Sequence, residues 1–167
     1  MSRLVAALFT LIVLASLSSC ASVNDYAPSQ TRHPIAGLGS YAASQILASP
    51  DLAHQDDIIL LVAPVRVDGV LPVASDHFRE VLTRALLSQK NAPQVISWIP
   101  EQDGQMLGAH QWLLSAQLDA SFAPLGLTDR TLYPYQLTLI LHRPGDEAPR
   151  WQTIIEGAFD SHSLDNS

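Results

Sequence analysis

The sequence predicts an α/β domain: a mixed sheet of four to five strands with helices packed mainly on one face. Three observations carry this. Residues 58–63 read Ile-Ile-Leu-Leu-Val-Ala, an apolar run closed by Pro64, as in a strand buried on both faces. The period then changes: Phe78, Val81, Leu82, Ala85 and Leu86 recur at helical spacing. Finally, residues 114–122 and 135–142 alternate apolar with polar, the mark of half-covered strands.

Taken in order, the domain is predicted to open with a short helix over 40–47, capped by Ser40, with Ala43, Ile46 and Leu47 apolar and Pro50 beyond. Gly37 and Gly39 before it form a lone G-x-G, which has no preceding strand and no third glycine, so it reads as a turn and not a nucleotide loop. After the 58–63 strand and a turn holding Asp68, Gly69 and Pro72, Asp76 is placed to cap the second helix. Glu80 and Arg84 stand at i,i+4 within it, and Pro93 ends it. The run 94–99 supplies the next strand of a βαβ-like unit.

Residues 100–110 are polar, contain Gly104 and Gly108, and read as a loop or one helical turn. A strand follows in which Leu114, Ala116, Leu118, Ala120 and Phe122 share a face. A loop through Pro124, Gly126 and Asp129 leads to the strand 135–142, where Leu137, Leu139 and Leu141 face one way. The turn 143–149 reverses the chain into 151–159, with Trp151, Thr153, Ile155 and Phe159 on one face, making a hairpin with a longish loop. Residues 161–167 are polar and read as a frayed tail.

The N-terminus is of another kind. Arg3 precedes an apolar run over 4–17, broken by Thr10 and Ser16, of signal-peptide length. The run ends Leu17-Ser18-Ser19-Cys20, which resembles the lipobox of bacterial lipoproteins. That resemblance implies cleavage after residue 19 and acylation of Cys20. Several acyl chains hold a membrane firmly where one holds it marginally. Ala21, not Asp, follows the cysteine, so the resemblance places the anchor in the outer membrane, facing the periplasm. Residues 20–36 then form the lipidated cysteine and a short flexible tether with Pro28 and Pro34, and 37–160 form one α/β domain. Fully extended, residues 21–35 reach roughly 50 Å.

Composition narrows the partners. Without residues 1–19, which hold Arg3 and no acid, 8 basic residues stand against 16 acidic ones, a net of −8. Such a domain repels nucleic-acid backbones and anionic headgroups, which leaves a protein or a neutral surface. Cys20 is the single cysteine, so no disulfide forms within one chain.

No catalytic machinery is legible. The histidines at 33, 54, 77, 110, 142 and 162 show no metal-ligand spacing, and there is no G-x-S-x-G and no S-x-x-K. Asp56 and Asp57 are adjacent, so in a strand they point apart; they read as solvated loop charges. Trp98, Trp112 and Trp151 fall in or at the start of strand patterns and read as core. No cofactor, metal or small-molecule substrate is expected.

The region 36–159 resembles the LpoB family of outer-membrane lipoproteins. The resemblance lies in the helix over 41–47, the run 58–65, the helix 81–86, Leu107-Gly108-Ala109-His110-Gln111-Trp112-Leu113-Leu114-Ser115-Ala116, and Tyr135-Gln136-Leu137-Thr138-Leu139-Ile140-Leu141 with Arg150-Trp151. It implies a fold like the N-terminal domain of TolB and no enzyme activity. It also implies a class A penicillin-binding protein as partner, bound at its regulatory domain and stimulated in peptidoglycan synthesis. Two alternatives of other classes stay open. One is an assembly lipoprotein resembling FlgO or CsgG, favoured by the short tether. The other is an auxiliary lipoprotein of an ABC lipid-transport system, which the run 62–67 followed by a helix and 95–98 fits in part.

Overall fold

Pro64 shapes the sheet. Strand β1 (Ile59–Val62) pairs in parallel with β4 (Gln111–Ala120), Val62 lying opposite Leu114. Strand β2 (Arg66–Val67) resumes the pairing on the same edge of β4, with Arg66 opposite Gln117. Residues 63–65 thus stand against only 115 and 116. This is a β-bulge, formed where proline has no N–H to give the ladder.

The structure, a computed structural model, describes residues 33–52, 57–90, 92–99, 108, 110–143, 146 and 148–165. The chain divides into units Met1–Thr31 and Arg32–Ser167, and only the second holds described residues.

On its far edge β1 pairs in parallel with β3 (Gln94–Ser97), reached through helix α2 (Ser75–Leu87). On the other side β4 pairs antiparallel with β6 (Thr131–His142), which forms a hairpin with β7 (Trp151–Asp160). The two-residue β5 (Leu125–Gly126) joins the start of β6. Because β7 lines one edge of β6 from Leu132 to Leu141, β4 and β5 share the other. The five longer strands therefore run β3-β1-β4-β6-β7, a mixed sheet as the alternating patterns predicted.

One face of this sheet is covered. Helix α1 (Pro34–Leu47) brings Leu38, Ala42 and Ile46, and α2 brings Phe78, Leu82 and Leu86. They bury Leu60, Trp112, Leu114, Leu118, Leu137, Leu139, Leu141 and Phe159 in a single core. Each such leucine removed from water contributes about 1.5–3 kcal/mol. The faces assigned from alternation are the faces observed in 114–120, 135–142 and 151–159, but the β4 strand ends at Ala120, and Phe122, expected on the covered face, is 75% exposed beyond it.

Several expectations are corrected. Helix α1 begins at Pro34 and not at Ser40, because proline suits the first helical position, where no N–H is needed. Its cap is His33, whose Nδ1 accepts from the Ile35 N–H at 3.3 Å. The G-x-G lies inside this helix and is not a turn. Gly39 meets α2 so closely that a Cβ there would stand 2.6 Å from Val81 Cγ1, and packing outweighs the helical cost of glycine.

Helix α2 is capped by Ala74 with no side-chain bond; Asp76 sits one step inside and pairs with Arg79 at 3.3 Å. The expected Glu80–Arg84 pair is present. Strand β6 starts at Thr131, four residues earlier than expected, since β5 and β7 both continue the ladder there. Residues Ser161–Asp165 form a short helix, α3, and do not fray: Asp160 receives the His162 N–H, and Leu164 packs on the core.

Candidate functional site: the second sheet face

The second sheet face carries none of the three helices' apolar side chains. Its side chains come from the odd positions of β1 and β4 and the even positions of β6 and β7. Toward the β3 side it is apolar, with Leu61, Ile96 and Leu113 in one row. Farther along it becomes polar through Ser115, Gln117, Thr138 and Glu156.

Where the two zones meet, the bulge opens a concavity of about 240 Å³, lined by Ala63, Pro64, Arg66, Ser115, Ala116, Gln117, Thr138 and Ile140. The Ala63 N–H still donates to the Leu114 carbonyl at 3.0 Å; the extra residue is taken up at 64–65 before Arg66 returns to the ladder opposite Gln117. Gln117 Nε2 donates to both oxygens of Asp119, at 3.1 and 3.0 Å, which fixes the amide along the strand. The far end is tied by Asp68, which accepts from the Val70 N–H at 3.0 Å and from the Ala120 N–H at 3.4 Å.

Arg66 is the cation of this concavity. The other described arginines are engaged: Arg79, Arg84, Arg130 and Arg150 with carboxylates, and Arg143 over the Trp112 ring at 5.8 Å. The site offers one guanidinium, two hydroxyls and an amide above an apolar floor. That set binds and orients a polar group. Among the described residues, no histidine or carboxylate is hydrogen-bonded to the lining hydroxyls of Ser115 and Thr138. Among the described residues no three His, Cys, Asp or Glu side chains gather as a metal set.

Cys20 and the residues 17–19 before it lie outside the described residues, as do His54, Asp56 and all of 100–107. The described histidines meet in one pair and gather in no larger cluster. His33 caps α1 and meets the His77 ring edge-on at 6.1 Å, His110 stands in the turn before β4, His142 ends β6, and His162 lies in α3. Trp112 is buried in the core and Trp151 packs against it. Trp98 is half-buried, its Nε1 shut off from solvent with no hydrogen-bond partner. Among the described residues, the pK of Tyr135 is clearly displaced: burial pushes it up, and it lies on the helix-covered side.

Arg66 and β2 were not legible as site components. A two-residue strand carries no period, and only the proline after an apolar run hinted at a bulge. The polar face of β4, by contrast, was visible as the alternation of Ser115, Gln117 and Asp119.

No protein-family model matches the chain, and no curated protein matches it. Solved structures of similar arrangement exist. The C-terminal domain of LpoB from Escherichia coli has a TM-score of 0.47 at 16% identity, over 75% of this chain and 97% of that one. The same domain from Salmonella enterica has a TM-score of 0.46 at 17% identity, with the same 75% and 97% coverage. The lipoprotein GNA1162 from Neisseria meningitidis has a TM-score of 0.44 at 10% identity, over 63% of this chain and 85% of that one.

Proposed function

We propose that the protein is a non-enzymatic lipoprotein, anchored through Cys20 in the outer membrane and facing the periplasm. It binds a class A penicillin-binding protein and stimulates its synthesis of peptidoglycan. The observation that carries this reading is the bulge-formed concavity on the second sheet face, where Arg66, Ser115, Gln117 and Thr138 stand together as a set able to hold a polar group of a partner. The lipobox ending at Cys20 and the LpoB-like runs over 58–65 and 107–116 support the location and the partner class.

Activation by a binding protein needs only differential affinity: whichever synthase conformation is held more tightly becomes more populated. The bulge-formed concavity, with Arg66 in its lining, is assigned to that contact. A surface arginine meeting a carboxylate on the partner gains strength as water leaves the interface.

The test is affinity capture with a soluble chain starting at Ala21, with bound envelope proteins identified by mass spectrometry. Recovery of a class A penicillin-binding protein, its loss on Arg66→Glu and a raised polymerisation rate support the reading. Recovery of flagellar or transport components without a synthase overturns it. The anchor is tested separately. Wild-type protein should incorporate radiolabelled palmitate and fractionate with the outer membrane, and Cys20→Ser should do neither. A Cys20→Ser protein that stays in that membrane overturns the lipidation reading.

A further inference from the structure

The two edges of the sheet are protected very differently. The β3 edge is four residues long and is preceded by Pro93. The β7 edge runs ten residues, Trp151–Asp160, with no lysine, arginine or proline among them and an unbroken register to β6. Edges of that length normally carry a device against pairing with another strand, such as a proline, an inward charge or a bulge. Here there is no proline, inward charge or bulge; Glu156 is the one charge at mid-strand, and Ile154 beside it is 51% exposed.

The direction of the free backbone groups follows from Pro134. The Ser121 N–H donates to the Pro134 carbonyl at 3.1 Å, so the backbone of residue 134 points toward β4. Along a strand these directions alternate, so Tyr133, Tyr135, Leu137 and Leu139 bond to β7 through Phe159, Gly157, Ile155 and Thr153. The N–H and C=O groups of Gln152, Ile154, Glu156 and Ala158 therefore point outward. Among the described residues, no backbone hydrogen bond meets them.

We infer that this edge pairs with the β7 of a second copy, antiparallel about a two-fold axis through Ile154. Only registers that set outward residues against outward residues complete the ladder. The axis at Ile154 does so, and it places Ile154 on Ile154 and Gln152 against the partner's Glu156. Moving the axis to Glu156 would set two carboxylates directly opposite, and moving it to Ile155 would set isoleucine against glutamate; both are unfavourable across a pair. About six backbone hydrogen bonds form, two for each of the three outward pairs. The sheet becomes continuous through both copies, and the interface is isologous. This inference is independent of the proposed synthase partner.

The test is cysteine crosslinking of the full chain in membranes, oxidised with copper-phenanthroline and read on non-reducing gels. Ile154 is half-exposed, so its replacement leaves the fold intact. Directly opposed residues stand about 5.5 Å apart at Cα, within disulfide reach. Ile154→Cys should thus give a band of twice the mass, several-fold above the wild-type background. Gln152→Cys or Glu156→Cys alone should stay at background, because identical positions there lie ~13 Å apart. Co-expressed Gln152→Cys and Glu156→Cys chains should crosslink to each other. An Ile154→Cys chain that remains monomeric overturns the inference. So does equal dimer at all three positions, or a band whose mass shows a different protein.

Discussion

The ring of Tyr135 occupies the space above Gly157 on the neighbouring strand. A Cβ built on that glycine would stand 2.5 Å from the phenolic oxygen and 2.7 Å from Cζ. The two residues are direct cross-strand partners, and the ring continues onto Phe159, stacked at 4.3 Å between centroids. Glycine here is needed for its missing side chain: the aromatic covers a strand position that would otherwise lack packing. Gly157→Val should expel the ring and cost about 1–3 kcal/mol in urea unfolding, with loss of near-ultraviolet circular dichroism. Gly157→Val combined with Tyr135→Ala should lose less than the two single changes summed.

Burial holds the Tyr135 hydroxyl neutral and raises its pK above 10.0. The folded state then keeps its proton where the unfolded chain releases it. This contribution to stability is complete below the unfolded value and is lost as pH rises through the folded one. Denaturation midpoints should therefore fall above about pH 10, and Tyr135→Phe should flatten that part of the profile.

The α1–α2 contact is tight at Gly39. Val81 is β-branched and stiff at χ1, so its Cγ1 cannot swing aside without strain. Gly39→Val should destabilise by about 1–3 kcal/mol. Pairing Gly39→Ala with Val81→Ala should restore most of the loss seen with Gly39→Ala alone, because space is returned while the helix gains about 1 kcal/mol in propensity. Thermal unfolding of the four proteins in a double-mutant cycle reads the coupling.

Ser49 is 1% exposed and its hydroxyl has no hydrogen-bond partner. A buried donor without a partner carries a desolvation cost of about 1–3 kcal/mol. Ser49→Ala should leave stability unchanged or raise it by up to about 1 kcal/mol, measured as a shift of the urea midpoint at constant m.

Asp57 enters β1 with φ at +64°, a left-handed conformation. Aspartate tolerates it, glycine favours it, and β-branched residues resist it. Asp57→Gly should be neutral or slightly stabilising, whereas Asp57→Val should cost about 1–2 kcal/mol. A reversal of that order in the same unfolding assay would mean that the carboxylate, not the backbone, matters at this position.

What the sequence determined by itself was local and periodic. Alternation in 114–120 and 135–142 assigned Leu114, Leu118, Leu137, Leu139 and Leu141 to one covered face, because residues two apart in a strand must share a side. Spacing at three and four residues likewise assigned Phe78, Leu82 and Leu86 to the buried stripe of α2. Tertiary structure alone decided what depends on register between distant segments. The bulge at 63–65 exists only relative to β4, some fifty positions onward, so Arg66 and its concavity carried no local pattern. Gly39 read as a turn because its reason for being small, Val81, sits on another helix. Gly157 was silent until Tyr135 was placed across from it. A chain states which faces are apolar through its own period; which residues meet across the core is fixed only when the strands choose their register and the helices their line of contact.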